Sequence, residues 1–516
     1  MRQTPPSVSS YWIKPALALV LSGLADLLFY DQPSGSTVGV FALVLIAATL
    51  VVHPSVRADR RARWALLAAV AFALVLIDAP SLLGWLLFYF SLGMAVLSPR
   101  AGSADDAWAW CQRLLFMALF GWVAPLVDLL TRTGRRGFAA SALIRRVPQF
   151  ALPLIGGGVF LALFASANPV IGQVLGNLQL APPDIARILF WLMMLVLAWT
   201  FLRPRHLRSP LQTPGAEGEL ALPGVTIVSV GLSLVLFNLL FAIENGLDIA
   251  FLWSGARLPA GVTLADYAHR GAYPLIGTAL LAGLFVLVAL RPGSQTARTP
   301  WLRALVVLWV AQNLLLVLSS ILRTLDYVEA YSLTRFRIAA LIWMGLVGLG
   351  LVLICWRMLR GKTAGWLIDA NIAAAGLVLV ACCVMDLGAL AAEWNVRHAR
   401  EVGGQGAELD LCYLNTLGAS ALAPLSELEA RPLTPVFRDR VAWVRARVLT
   451  DLTVRQDHWR GWTWRGQRRL DRANAIRPGH DTLSQFSAGE RDCDGALEVH
   501  TATPVSPTPL TRAQPG

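Results

Sequence analysis

Charge is what this 516-residue chain has least of: Asp, Glu, Lys and Arg make up 15% of it, against about 25% in a soluble domain. With 56% hydrophobic residues, that scarcity excludes both an ordinary soluble globule and a disordered polar chain. Lysine is almost missing; only Lys14 and Lys362 are present, so the positive charge is nearly all arginine. The six cysteines form no C-x-x-C pair and the seven histidines no H-E-x-x-H. A zinc site or dithiol centre therefore has no support, and no cofactor or metal is expected. A net charge of +12 and a pI near 10 would suit nucleic acid. However, the arginines sit in short clusters between apolar runs, the pattern of the positive-inside bias, so the expected partner is the lipid bilayer.

What is present is a series of apolar runs long enough to span. They fall at Lys14–Tyr30, Ser36–Val52, Trp64–Ile77 and Ser81–Leu97, with turns at Asp31/Pro33 and Asp78-Ala-Pro80. The first lacks a small-x-small cleavage site and reads as a retained span. Arg57, Arg60, Arg61 and Arg63 pin the second loop, and so the N-terminus, to the cytoplasm. Trp108–Leu130 is also apolar but carries Arg113, Pro125 and Asp128, and leads into Arg132, Arg135, Arg136, Arg145 and Arg146. If it crossed, every later loop would break the charge rule, so it reads as an interfacial or re-entrant helix. Further spans follow at Phe150–Ser166, Ile188–Phe201, Val225–Ala242, Tyr273–Leu290, Leu302–Ile321, Ile338–Met358 and Gly365–Ala391. Gly158, Ala162 and Ser166 repeat at the small-residue spacing of close helix contact.

The expected fold is all-α: a polytopic helical membrane bundle of about 11 transmembrane helices plus one interfacial helix, with a small helical extramembrane region near the C-terminus. The reading divides it into an N-terminal block (1–100), a basic interfacial linker (101–149), a core (150–395), a helical region (396–476) and a disordered tail (477–516). Leu411, Leu414 and Leu417 mark one helix, with Gly418 as its stop. Phe437, Val441, Val444 and Val448 mark another. A tail rich in Pro, Ser, Thr and Gly leaves Cys493 without an ordered partner, so Cys412 and Cys493 are expected to be free thiols.

The densest polar stretch lies between two apolar runs: Ser319, Ser320, Arg323, Asp326, Tyr327, Glu329, Tyr331, Ser332, Thr334, Arg335 and Arg337. Ser320, Arg323, Tyr327, Tyr331, Leu333, Thr334, Arg335 and Arg337 resemble the S-x-x-R…Y-x-x-x-Y-x-L-T-x-x-R signature of a bacterial inner-membrane family, the domain of unknown function 4173, related to 4153. Gly261–Gly271, with Tyr267, His269 and Arg270, is similar to its second motif, and Ala167-Asn168-Pro169 to a third. Leu409–Pro424 is similar to its C-terminal element. The resemblance runs from about Phe150 to Leu428 and implies a multi-pass membrane protein, with no catalytic residues attached. Ser332 stands where that pattern has Gly; a Ser there can N-cap the next helix but resists a left-handed backbone.

The topology gathers Glu244, Asp248, Tyr267, His269, Arg270, Arg323, Tyr327, Tyr331, Arg335 and Arg337 on the outer side. Guanidinium groups match phosphate and carboxylate geometry, so these ten are the candidate ligand-binding residues of an anion-binding vestibule. Set against this is a structural reading, in which Arg323 pairs with Asp326, Glu244 or Asp248 and the tyrosines anchor the interface. Asn313 and Asp386 are the candidate intramembrane polar residues, for a proton relay or for interhelical hydrogen bonds. Three function classes stay open. They are an envelope scaffold or regulatory protein with a ligand or protein partner, a secondary transporter of a small anionic or lipid-like solute, and an enzyme acting on a lipid-linked substrate. The expected location is the bacterial inner membrane, N-terminus cytoplasmic and C-terminus periplasmic.

Overall fold

A computed structural model describes residues 9–101, 106–123, 125, 128, 184–205, 226–250, 277, 299–477, 486 and 490–497. The expected spans at Phe150–Ser166 and Tyr273–Leu290 lie outside these. Regular structure among the described residues is helical, apart from one isolated antiparallel bridge between Arg491 and Leu497. The chain is an all-α membrane bundle, as expected. The principal helices are α1 (Ser9–Phe29), α2 (Thr37–Val52), α3 (Arg60–Asp78), α4 (Leu82–Leu97), α5 (Ala107–Phe120), α6 (Ile185–Leu202), α7 (Ile227–Asp248) and α8 (Pro300–Tyr331). They continue with α9 (Arg335–Arg360), α10 (Ala364–Val384), α11 (Leu387–His398), α12 (Leu411–Leu417), α13 (Leu422–Glu429), α14 (Pro435–Asp457) and α15 (Trp464–Ile476). Six described helices are long and apolar enough to cross a bilayer: α4 with the turn after it, α6, α7, α8, α9 and α10. Two compact units emerge: residues 1–323, 341–385 and 456–465 form the first, and 324–340, 386–455 and 466–516 the second.

In the first unit, α1 to α4 and α6 share a core that includes Ala25, Phe41, Leu45, Ala73, Phe88, Leu92 and Phe201. Lipid tails are as apolar as leucine, so membrane helices associate by close packing, which small residues permit. Gly39 of α2 is such a contact; any Cβ there would overlap the Ala73 carbonyl and Ile77 of α3.

One end of this unit is tied by Asp59, which caps α3 at Ala62 N (3.0 Å) and accepts from Ser98 Oγ (2.6 Å). His53 Nε2 meets the Phe201 and Leu202 carbonyls at the end of α6, each at 3.2 Å. Arg57, Arg60, Arg61, Arg63, Arg100, Arg203 and Arg205 belong to the loops and helix ends on this side. At the opposite end, Arg187 of α6 pairs with Asp26 of α1 (2.6 Å) and Ser36 Oγ donates to the Ile77 carbonyl (2.5 Å). There the Trp- and Arg-rich segment closes over four helix ends. The Trp462 carbonyl accepts from Ser36 N (2.7 Å), and Arg460 donates to the Leu27 carbonyl (2.9 Å). Arg465 binds Asp78 (2.7 Å) and donates to the Val384 carbonyl (3.0 Å).

α5 has 14 residues, about 21 Å of helix against a hydrocarbon core of about 30 Å. Ala107 N donates to Asp369 in the second turn of α10 (3.0 Å). Asp128 is held by Arg203 (3.0 Å) and Arg205 (2.7 Å), with Trp199 Nε1 donating to it at 3.0 Å. Ala107 and Asp128 therefore both lie on the arginine-rich side.

The second unit buries Leu411, Leu414, Leu425, Leu428, Val441 and Val444. Gly418 ends α12 with φ +56° and ψ −134°, a backbone that glycine adopts freely, at the stop its sequence announces. Glu429 and Arg445 form an ion pair at 2.5 Å with both side chains buried, and Arg477 joins the same carboxylate. Two expectations are corrected here. The span read as Gly365–Ala391 is two helices, because the Asp386 carboxylate accepts from Ala389 N (3.0 Å) and starts α11 afresh. Asp386 is thus an N-cap beyond α10. Cys412 and Cys493 are not free thiols but a disulfide. The tail turn that carries Cys493 is pinned by ion pairs of Arg491 with Asp439 and Asp494 with Arg440, which its polar composition conceals.

Burial first, then the positive charges of Arg100 and Lys14, push the His53 pKa down to about 4 against the pull of its carbonyl partners. The unfolded chain therefore binds a proton that the folded one refuses between roughly pH 6.5 and 4, and stability falls as pH drops through that window. Unfolding temperature in detergent should decline from pH 7.5 to 5, with a share from His53 of about 2 kcal/mol. His53→Gln should flatten that decline, and an unchanged slope would remove His53 as its source.

Candidate functional site

The signature stretch folds into a turn between α8 and α9. Ser332 ends α8 with φ +69°, a left-handed conformation that costs a non-glycine residue roughly 1–2 kcal/mol. Arg337 offsets this by donating to the Tyr331 carbonyl (2.6 Å) and to the Ser332 carbonyl. Its guanidinium also lies 4.2 Å from the centre of the Tyr327 ring, which packs against Tyr331. Ser332 does not cap the next helix; Thr334 Oγ1 does, accepting from Arg337 N at 3.3 Å.

The turn is fastened to α11 by one side chain. Leu333 N donates to Asn395 Oδ1 (2.7 Å) and Asn395 Nδ2 donates to the Leu333 carbonyl (2.9 Å), both buried. Arg335 N donates to the Tyr413 hydroxyl of α12 (2.9 Å). The signature turn and the Leu409–Pro424 element, read separately in the sequence, therefore meet.

Arg335 is carried over the first turn of α11. That turn holds Gly388, where a Cβ would overlap the Arg335 guanidinium and crowd Ser420 Oγ. Ser420 Oγ accepts from Arg469 (2.9 Å) and from Arg335 (3.5 Å), and donates to Asp386 (3.1 Å). Arg469 pairs with Asp386. Burial works against the Asp386 carboxylate, but Arg469, Ala389 N and Ser420 outweigh it and hold its pKa below the usual range. One guanidinium, a hydroxyl and a helix N-terminus thus hold one carboxylate, and Arg335 meets the group only through that hydroxyl. Arg335 is exposed and makes no ion pair with any described residue.

The ten candidate residues divide. Tyr327, Tyr331, Arg335 and Arg337 lie in this turn. Arg323 and Asp248, in the first unit, are buried and paired with each other. Glu244 is exposed on α7. Tyr267, His269 and Arg270 lie outside the described residues. Asn313 donates to the Trp309 carbonyl one turn back in its own helix (2.7 Å). Its neighbour Gln312 donates to Asn238 of α7 (2.8 Å), an interhelical bond. Sequence reading missed Gly388, Asn395, Ser420 and Arg469. Only Ser420 and Arg469 carried a signal, the first inside the C-terminal element and the second inside an arginine run.

A protein-family profile described as "Domain of unknown function (DUF4153)" matches residues 64–428. The resemblance to a family of unknown function holds in that form; the match is to 4153 rather than 4173, and it begins earlier than Phe150. No curated protein and no solved structure matches the chain.

Asn395→Ala would strand both backbone groups of Leu333 in a buried site. The expected loss is about 3 kcal/mol, measured as denaturant unfolding in detergent, with Asn395→Asp recovering only the Leu333 N contact. A neutral Asn395→Ala would show that the turn is held by other means.

Proposed function

The chain belongs to the DUF4153 family, and from that premise we propose a multi-pass membrane protein whose second unit binds an anionic group outside the cytoplasm. The observation that carries this reading is Arg335: an exposed guanidinium over a helix N-terminus, beside Ser420 and Arg469, with no carboxylate of its own. Such an arrangement suits a phosphate or carboxylate, which guanidinium forks and helix N-termini both attract. Gly388 supports it, since only a residue without a Cβ leaves Arg335 room there.

Two observations support the orientation. Arginines crowd one end of the first unit, the end that the positive-inside bias assigns to the cytoplasm. The second unit contains a disulfide, a bond kept in oxidising compartments such as the periplasm. An envelope scaffold or regulatory protein that senses an anionic headgroup or solute fits both, in a bacterial cytoplasmic membrane.

Binding is tested on the purified full chain in detergent, titrated calorimetrically with inorganic phosphate and with a short-chain anionic phospholipid. Arg335→Ala should weaken binding about tenfold or more while leaving the unfolding temperature unchanged, and Gly388→Ala should act in the same direction. Wild-type affinity in Arg335→Ala would end the proposal. Orientation has a separate readout. Alkylation of intact cells without reductant should leave Cys412 and Cys493 unlabelled, and labelling of both would place the unit in a reducing compartment.

A further inference from the structure

A strip of polar side chains runs between α7 and α8, within the first unit and apart from the anion site. At its deep end Gln312 donates to Asn238 (2.8 Å), and Asn238 donates to the Leu234 (2.8 Å) and Leu305 (3.1 Å) carbonyls. Further along, Asn245 donates to the Gln312 carbonyl (3.3 Å), and the strip ends at the Asp248–Arg323 ion pair. Asn245, Asp248, Ser319 and Arg323 are all more than nine-tenths buried.

Among the described residues, Gln312 Oε1, Asn245 Oδ1, Asp248 Oδ2 and Ser319 Oγ have no hydrogen-bond partner. All four can accept, so donors are what the strip calls for. Within a bilayer, an unsatisfied acceptor has no solvent to fall back on. Beyond Asn238 the same two helices close on apolar groups. Phe237 stacks on Trp309 (5.3 Å), and Leu234, Leu302 and Val306 are buried.

We propose that this strip is a hydrated half-path: water enters at the Asp248–Arg323 end and stops at the Gln312–Asn238 bond. From Asp248 to Asn238 is ten residues of α7, about 15 Å, half of a ~30 Å hydrocarbon core. Water suits the strip better than a bare cation, because it donates to each acceptor while the Arg323 guanidinium repels positive charge. The path brings water to the membrane centre from one side. That this side is the outer one rests on the orientation proposed above.

Cysteine accessibility tests the path on the full chain in cells. Cys111, Cys355, Cys382 and Cys383 are first replaced by Ala, leaving the disulfide. Ser319→Cys, Asn245→Cys and Gln312→Cys are then compared with Leu308→Cys and Leu318→Cys, whose side chains are exposed on α8 rather than buried against α7. An impermeant, negatively charged thiosulfonate is applied to intact cells and to inverted vesicles. Strip positions should react about tenfold faster or more than the leucine positions, because the reactive thiolate forms in water and not in lipid. Reaction should occur from one side only, with Gln312→Cys the slowest of the three. Ser319→Cys is nearly isosteric and carries the test if the amide variants fold poorly. Labelling only in inverted vesicles would keep the half-path and overturn the orientation. Rates equal to the leucine positions from both sides, or Gln312→Cys reached from both, would overturn the half-path.

Discussion

The second unit's site depends on one amide. Asn395 satisfies both backbone groups of Leu333, and a buried peptide has few other ways to be satisfied at a turn that leaves helix geometry. With Leu333 held, Ser332 must take its left-handed conformation, and the first turn of α9 starts where Thr334 can cap it. The directions of Arg335 and Arg337 follow from that start. Arg337 points back onto the carbonyls of the turn, while Arg335, two residues earlier, points away from them over Gly388. A different amide at position 395 would therefore be felt first in the aim of Arg335.

Much of the membrane architecture is legible because the bilayer imposes local rules. Length, apolarity and the arginine clusters mark the described spans, and the same charges argue that the Trp108 segment does not cross; Ala107 and Asp128 both lie on the arginine-rich side. Gly418 and the 411/414/417 leucines announce a helix and its end through local chemistry alone. The misreading of Gly365–Ala391 has the opposite origin. Hydropathy runs on through Leu387–Ala391, and the break is made by a single Asp386 cap that an averaged apolar signal hides.

The site's partners were not legible, for a related reason. Helical periodicity says which face a residue occupies, and not which distant residue it meets. Asp386 finds Arg469 across 83 residues, Ser420 finds Arg335 across 85, and Cys412 finds Cys493 across 81. In a chain whose cations are nearly all arginine, any of many guanidinium groups suits a given carboxylate, so composition cannot choose between them. Gly388 leaves no trace at all, since a glycine inside a helix gives no turn signal and its role is only the space it leaves.

Three arginines within fifteen residues show how burial decides what a guanidinium can do. Arg323 is more than nine-tenths buried against Asp248. Removing either partner of such a pair leaves a charge in low dielectric, at about 3–5 kcal/mol, which makes Arg323 a poor candidate for a group that must exchange a ligand. Arg337 donates to two carbonyls of the turn and lies over a tyrosine ring, so its charge is directed back onto the turn. Arg335 alone stays exposed, with one long bond to a hydroxyl. An anion that binds there need not displace a carboxylate already bonded to that arginine, so its attraction to the guanidinium is not first offset by a broken ion pair. The same logic accounts for the division of the described candidates. Residues that the fold has already paired hold the fold, and Arg335, which it has not, is where a ligand has something to gain.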